Sequence, residues 1–187
     1  MSKKVLLVGT GRVGAEFARA ILARGGLSLR VLVRTTTSPD KVEAMRRMGV
    51  EVVVGSTSDH DSLCKVLSLS LRPFGAAGPV QACVHSLTRV YLWGAQACDG
   101  INTVVSAIHG FANPEEQLLI PQVALMRAAR DMGVEQFIPS EYGTVAREGV
   151  PDGIPVCEAK RRVGEAAAEL ARESGGRFHY TLIRACA

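Results

Sequence analysis

The feature that most constrains this 187-residue chain is a glycine pattern between a short apolar run and a helical repeat. Gly9, Gly11 and Gly14 directly follow the apolar segment Val5–Val8, and apolar residues then recur at helical spacing through Phe17. A strand that turns sharply into a helix exposes the helix N-terminus, where unpaired N–H groups and the positive end of the helix dipole attract phosphate. The pattern therefore predicts a strand, turn and helix that bind a phosphate-bearing ligand.

The three glycines have the spacing Gly-x-Gly-x-x-Gly, and each one has a mechanical role. Gly9 permits the tight turn, Gly11 lets the backbone approach a diphosphate, and Gly14 lets the helix pack closely on the strand. The predicted cofactor-binding residues of this turn are Gly9, Thr10, Gly11, Arg12, Val13 and Gly14. The alternative is a tight turn that binds nothing.

Beyond this turn, short apolar runs alternate with longer helical segments, which is typical of a parallel sheet covered on both faces. The predicted strands are Val5–Val8, Leu29–Val33, Glu51–Val54, Thr103–Ala107, Gln136–Ile138 and His179–Ile183. Helices are predicted from Val13 to Gly25, from Pro39 to Met48, from near Asp59, from Asn113 to Gly133 and from Cys157 to Ser174. The fold class is therefore α/β, a Rossmann-type doubly wound parallel sheet, with residues 1–187 forming a single NAD(P)-binding domain.

The residue that follows the second strand distinguishes the two nicotinamide cofactors. An NAD-binding domain usually carries an acidic residue there, whereas this chain has Arg34 and no acid before Asp40. A guanidinium can hold a 2′-phosphate through two hydrogen bonds, and Lys41 adds a second positive charge. We therefore predict NADP(H), with Arg34 and Lys41 as binding residues; the alternative is that Arg34 is only a solvated residue at a strand end.

Composition and charge narrow the class of protein further. The chain is 47% hydrophobic and 21% charged, has no uninterrupted apolar run long enough to span a membrane, and carries no signal-peptide pattern. Its five cysteines and four histidines lack metal-ligand spacing, and no basic run indicates nucleic-acid binding. We expect a cytoplasmic protein with a small-molecule substrate, no metal, no membrane association and no nucleic-acid partner; its oligomeric state is left open.

One segment does not fit the alternation. About thirty residues from Leu69 to Cys98 separate the helix near Asp59 from the fourth strand, with Arg72 and Arg89 as their only Lys, Arg, Asp or Glu side chains. Such a long connection is uncommon in a compact domain. The segment is predicted to be an insertion or a sequence artefact rather than a functional element.

With these residues identified, the chain resembles the NmrA-like and isoflavone-reductase-like branch of the atypical short-chain dehydrogenases. The most specific stretch is 133–143, Gly-Val-Glu-Gln-Phe-Ile-Pro-Ser-Glu-Tyr-Gly, which is similar to the fifth-strand signature of that family. The other stretches that carry the resemblance are 5–14, 32–34, 49–55 and 100–107.

The resemblance implies that Lys160 is the catalytic general acid/base and contacts the nicotinamide ribose, although Lys160-Arg161-Arg162 is also compatible with a solvated helix face. The tyrosine of ordinary short-chain dehydrogenases is replaced by Val156, and Tyr142 is expected to pack rather than to react. Ser140 and Glu141 are expected to shape the cofactor pocket. Family members also continue into a small substrate-binding lobe, which this chain is expected to lack.

Three functions follow from these observations. The leading hypothesis is an NADPH-dependent reductase, or its cofactor-binding part, that transfers hydride to a small organic substrate, aromatic compounds included. The second is a non-catalytic NADP(H)-sensing regulatory protein, which Val156 and the short C-terminus favour. The third is a truncated, inactive product. The fold does not fix the identity of the substrate.

Overall fold

A computed structural model describes residues 3–55, 100–143 and 153–184, and these residues build one parallel six-stranded sheet. The strands are β1 Lys3–Val8, β2 Leu27–Val33, β3 Glu51–Val54, β4 Thr103–Ser106, β5 Gln136–Ile138 and β6 His179–Tyr180. Their spatial order is β3-β2-β1-β4-β5-β6, with β1 hydrogen-bonded to β2 on one side and β4 on the other. This is the strand order of the Rossmann fold, and the predicted fold class is confirmed.

The sheet is buried on both faces because its strands are almost continuously apolar. Successive residues of β1 point to opposite faces: Leu6 joins one hydrophobic cluster and Leu7 the other, and both are fully buried. The cluster around Leu6 also holds Phe137 and Phe178, whose rings lie 6.3 Å apart. Two cores therefore fix the register of the sheet and the level at which each strand ends.

Four α-helices cover the two faces of the described sheet. They are α1 Arg12–Arg24, α2 Pro39–Arg47, α3 Ile120–Asp131 and α4 Pro155–Glu173. Helices α2 and α4 each carry a proline in the first turn, where its missing N–H costs nothing. Among the described residues, no helix is long and apolar enough to cross a membrane.

A π turn at Glu115–Leu119 directly precedes α3, where the sequence predicts an ordinary helical start. The Ile120 N–H donates to the carbonyl of Glu115, five residues back. Pro121 explains the wider turn, because its ring clashes with the carbonyl four residues earlier and it has no N–H to donate. The predicted cap at Asn113 is present but loose, since its Oδ1 accepts the Glu116 N–H at 3.4 Å.

The other predicted elements agree with the structure to within one or two residues, with one further difference. Strand β6 ends at Tyr180 rather than Ile183, because its neighbour β5 has only three residues to pair with it. The predicted helix near Asp59 and the proposed insertion at 69–98 lie outside the described residues.

Candidate functional site

The candidate site is the crevice at the carboxyl ends of β1 and β4, where the strand order reverses direction. Ligands of open α/β sheets bind at this position. The glycine turn leaves β1 here and the Ala107–Phe111 segment leaves β4. The two connections touch, since a Cβ on Gly9 would lie 2.5 Å from the carbonyl oxygen of Ala107. Only glycine fits at position 9, and its φ of +97° is strained for any other residue.

The remaining glycines of the turn differ in what surrounds them. A Cβ on Gly14 would lie 2.0 Å from the carbonyl oxygen of Gly9, so packing of α1 against the turn requires glycine at position 14. Around Gly11, no described atom beyond its chain and helix neighbours lies within 4 Å of a Cβ position, and its φ is −70°. Neither protein packing nor backbone conformation requires a glycine at position 11.

Among the described residues, no side chain caps the N-terminus of α1. Gly11 occupies the cap position without a side chain, and no acidic residue lies in the first turn. The first intrahelical hydrogen bond runs from the Ala15 N–H to the Gly11 carbonyl at 2.9 Å, so the N–H groups of Arg12, Val13 and Gly14 precede the ladder. These donors and the positive dipole end are suited to an anionic ligand.

Arg34 and Lys41 lie on the side of the glycine turn where β2 pairs with β1. Arg34 is the first residue after β2 and is exposed; its carbonyl accepts the Thr37 N–H at 2.9 Å in a tight turn. Lys41, in the first turns of α2, donates from Nζ to the carbonyl oxygen of Thr10 at 3.0 Å. Lys41 therefore places its positive charge against the glycine turn itself.

Lys160 differs sharply from the two basic residues that follow it. Its exposed fraction is 5%, whereas the side chains of Arg161 and Arg162 are 53% and 46% exposed. Arg161 pairs with Glu158 at 2.5 Å, and Arg162 pairs with Glu115 at 2.7 Å. The solvated-face interpretation therefore holds for the two arginines and is wrong for Lys160.

Glu141 is the acidic counterpart of Lys160. It follows β5 by three residues and is 3% exposed. Burial raises the pKa of the Glu141 carboxyl, and the charges of Lys160 and Arg184 oppose that rise. Burial likewise lowers the pKa of Lys160, and Glu141 and Cys157 oppose the fall. A lysine and a glutamate are thus both buried at the carboxyl side of the sheet, and the charge of each favours the charged form of the other.

A buried polar residue of α3 holds the segment that carries Glu141. Gln122 is fully buried, and its Oε1 accepts the Ser140 N–H at 2.7 Å. The Ser140 hydroxyl donates to the Ile108 carbonyl at 2.8 Å, which joins the connections after β5 and β4. Sequence reasoning missed Gln122; its signal was a glutamine in the apolar stripe of α3, four residues after Leu118.

Tyr142 and Val156 have structural surroundings. The Tyr142 ring packs on Phe17 of α1, with ring centroids 5.1 Å apart. Burial raises the pKa of Tyr142 to about 12, and its hydroxyl has no hydrogen-bond partner in the described part of the chain. Val156 is buried in the core. Among the described residues, no three His, Cys, Asp or Glu side chains are grouped as metal ligands.

The fold and this crevice define a Rossmann-type domain of the class that binds NAD(P). The model of the NmrA-like family matches residues 1–85. The curated relatives include pinoresinol reductase 1 of Arabidopsis thaliana, which is 28% identical over 193 residues that cover 98% of this chain and 49% of the relative. The predicted resemblance to the NmrA-like and isoflavone-reductase-like proteins is confirmed.

Two solved structures have the same fold. One is AtPrR2 with NADP+ and (+)pinoresinol, with a TM-score of 0.63 and 24% identity, covering 100% of this chain and 51% of that chain. The other is the leucoanthocyanidin reductase–NADPH complex of Vitis vinifera, with a TM-score of 0.56 and 25% identity, covering 97% of this chain and 49% of that chain. This chain spans about half the length of the relatives that it matches.

Proposed function

We propose that this chain is the NADP(H)-binding part of an NADPH-dependent reductase that acts on a small organic substrate. The observation that carries the proposal is Gly11. Protein packing accounts for Gly9 and Gly14, but the space beside Gly11 is open among the described residues. A backbone that must lie against a diphosphate needs this open space, and a Cβ would fill it.

The cofactor's diphosphate fits the turn in charge as well as in shape. The free N–H groups at the start of α1 would donate to its oxygens, and the helix dipole would favour its negative charge. Thr10, Arg12 and Val13 line the approach, with Arg12 and Val13 exposed. Lys41, already bonded to the Thr10 carbonyl, would add an ammonium charge within reach of the same group.

Arg34 would recognise the additional phosphate of NADP(H). It lies at the end of β2, where the adenosine ribose lies in Rossmann domains, and it is exposed. The described chain offers no carboxylate at this position that would repel a 2′-phosphate, since Asp40 is six residues further on. A guanidinium here supports NADP(H) rather than NAD(H).

Lys160 would act as the general acid/base at the reacting end of the site. The bound cofactor would supply the hydride, and this chain would bind and orient it. Lys160 lies in the second turn of α4, at the carboxyl side of the sheet, and it is buried beside Glu141. An ammonium held there is suited to give a proton from Nζ to an oxygen of the substrate. Tyr142 packs on Phe17 and would take no part.

The substrate class is inferred from the relatives. The names of the curated relatives describe reductases of pinoresinol, lariciresinol and a phenylcoumaran benzylic ether. All are aromatic compounds, so an aromatic ether or a related small molecule is the first class to test with this chain.

Replacing Lys160 by alanine tests the enzymatic role. We expect NADPH oxidation in the presence of an aromatic ether substrate to fall by about a hundredfold or more, because the general acid/base is lost. NADPH affinity, measured by calorimetry, should change little. The matched control is Arg161→Ala, which removes a neighbouring exposed cation and should leave turnover intact.

Two results would contradict this proposal in different ways. Unchanged turnover in Lys160→Ala would contradict the role of Lys160. Saturable NADPH binding with no turnover on any substrate, and with equal affinity for both oxidation states, would favour a non-catalytic NADP(H)-binding role instead.

A further inference from the structure

Glu141 and Lys160 form an unusual feature of the interior, because two ionisable side chains are almost completely buried at the same edge of the sheet. Glu141 is 3% exposed and Lys160 is 5% exposed. One carboxylate oxygen of Glu141, Oε1, is buried without a hydrogen-bond partner in the described part of the chain. Removing charged groups from water is costly unless they compensate one another.

The backbone directly before Glu141 is fixed by hydrogen bonds from two directions. The N–H of the preceding residue, Ser140, is bonded to the buried Oε1 of Gln122 at 2.7 Å. The hydroxyl of Ser140 is bonded to the Ile108 carbonyl at 2.8 Å. Helix α3 and the connection after β4 therefore hold the segment that carries Glu141.

We propose that Glu141 is a positioning residue for Lys160. The carboxylate of Glu141 holds the lysine as a fixed ammonium ion inside the protein at neutral pH. Burial alone would favour the uncharged amine, and a nearby negative charge opposes this. The inference rests on the proposed function for its catalytic meaning, since an ammonium at this place can give a proton to substrate. The claim that Glu141 favours the charged form of Lys160 concerns these two side chains and does not depend on the proposed function.

Among the residues that the structure describes, the charged and titratable groups that act on the pair come from three elements. Glu141 lies after β5, Cys157 lies one turn before Lys160 on α4, and Arg184 follows β6. Glu141 and Cys157 favour the charged form of Lys160. Lys160 and Arg184 favour the charged form of Glu141. Among these described groups, Glu141 provides the larger of the two electrostatic contributions to the Lys160 ammonium.

The experiment is a pH titration of Lys160 by NMR in the full chain without cofactor. The protein carries ¹³C at the lysine Cε, and the Lys160 resonance is assigned by its absence in Lys160→Arg. In Glu141→Gln, which keeps the shape and removes the charge, we expect Lys160 to titrate at a lower pH than in the parent. The matched control is Glu158→Gln, because Glu158 is an exposed carboxylate two residues before Lys160 and paired with Arg161.

Identical Lys160 titration curves in the parent, Glu141→Gln and Glu158→Gln would overturn the proposal. A purely structural role for Glu141 would lower the unfolding temperature without moving that curve. If Glu141→Gln does not fold, the same titration of the parent protein tests the proposal. The Lys160 resonance of the parent should also shift at acidic pH, as Glu141 takes up a proton. A Lys160 resonance that does not shift at acidic pH overturns the proposal. Since no cofactor is present, failure of NADPH binding is a separate result that bears on the proposed function alone.

Discussion

Arg34 is the residue that separates the two nicotinamide cofactors in this account. Replacing it by alanine should weaken NADP(H) binding by about 1–3 kcal/mol, because a charge-assisted contact to the 2′-phosphate is lost. NAD(H) lacks that phosphate, so its affinity should change much less. Calorimetric titration with both cofactors measures the difference.

The control for Arg34 is Arg24→Ala, which removes an exposed arginine from the last turn of α1, at the opposite end of β2. It should leave the preference between the cofactors unchanged. An equal loss of NADP(H) and NAD(H) affinity in Arg34→Ala would refute the assignment.

Individual residues were predictable from the sequence where a local pattern fixes them. The glycine spacing placed the turn, and the distance from Gly14 to Arg34 placed the residue after β2. The surroundings of Lys160 were not predictable, because its neighbours Arg161 and Arg162 are solvated and it is not. Its burial and its interaction with the charge of Glu141, nineteen residues away in the chain, depend on tertiary packing.

At the scale of elements, the glycine turn makes a prediction about stability. Gly14→Ala should destabilise the fold by about 1–3 kcal/mol, because its Cβ would lie 2.0 Å from the Gly9 carbonyl oxygen and force α1 away from the turn. Gly11→Ala should cost less than about 1 kcal/mol, because the space beside it is open among the described residues and its φ of −70° suits alanine. Thermal unfolding of both variants measures the contrast. An equal loss in the two variants would show that Gly11 is also required by packing.

The strands were predictable because each is a short apolar run with a turn signal at its end. The π turn before α3 was not predicted, although Pro121 marks it in the sequence. In the sequence, Pro121 comes after the cap signal Asn113-Pro114 and suggests only a second helix start. Whether the chain forms a wider turn there depends on packing. Gly110 shows that packing: a Cβ there would lie 2.5 Å from the Cβ of Gln117 in the π turn.

For the whole molecule, the proposed site draws on segments that are far apart in the chain. The glycine turn follows β1, Arg34 follows β2, the segment with Glu141 follows β5, and Lys160 lies on α4. A doubly wound sheet brings them to one edge because all six strands are parallel and end within about three residues of one another. The half of the chain that holds the glycine turn and Arg34 also carries the excess positive charge. Residues 1–100 contain 13 Lys and Arg against 7 Asp and Glu, which favours a phosphate-bearing ligand.

The most direct test of this account is calorimetric titration of the folded protein with NADPH, alongside Gly11→Ala. We predict saturable heat at one site in the parent and its loss in Gly11→Ala, with both proteins unfolding at similar temperatures. An added methyl at position 11 would occupy the space that the diphosphate needs. A well-folded parent that gives no heat with NADPH, or a Gly11→Ala variant that binds as tightly as the parent, would contradict the central claim.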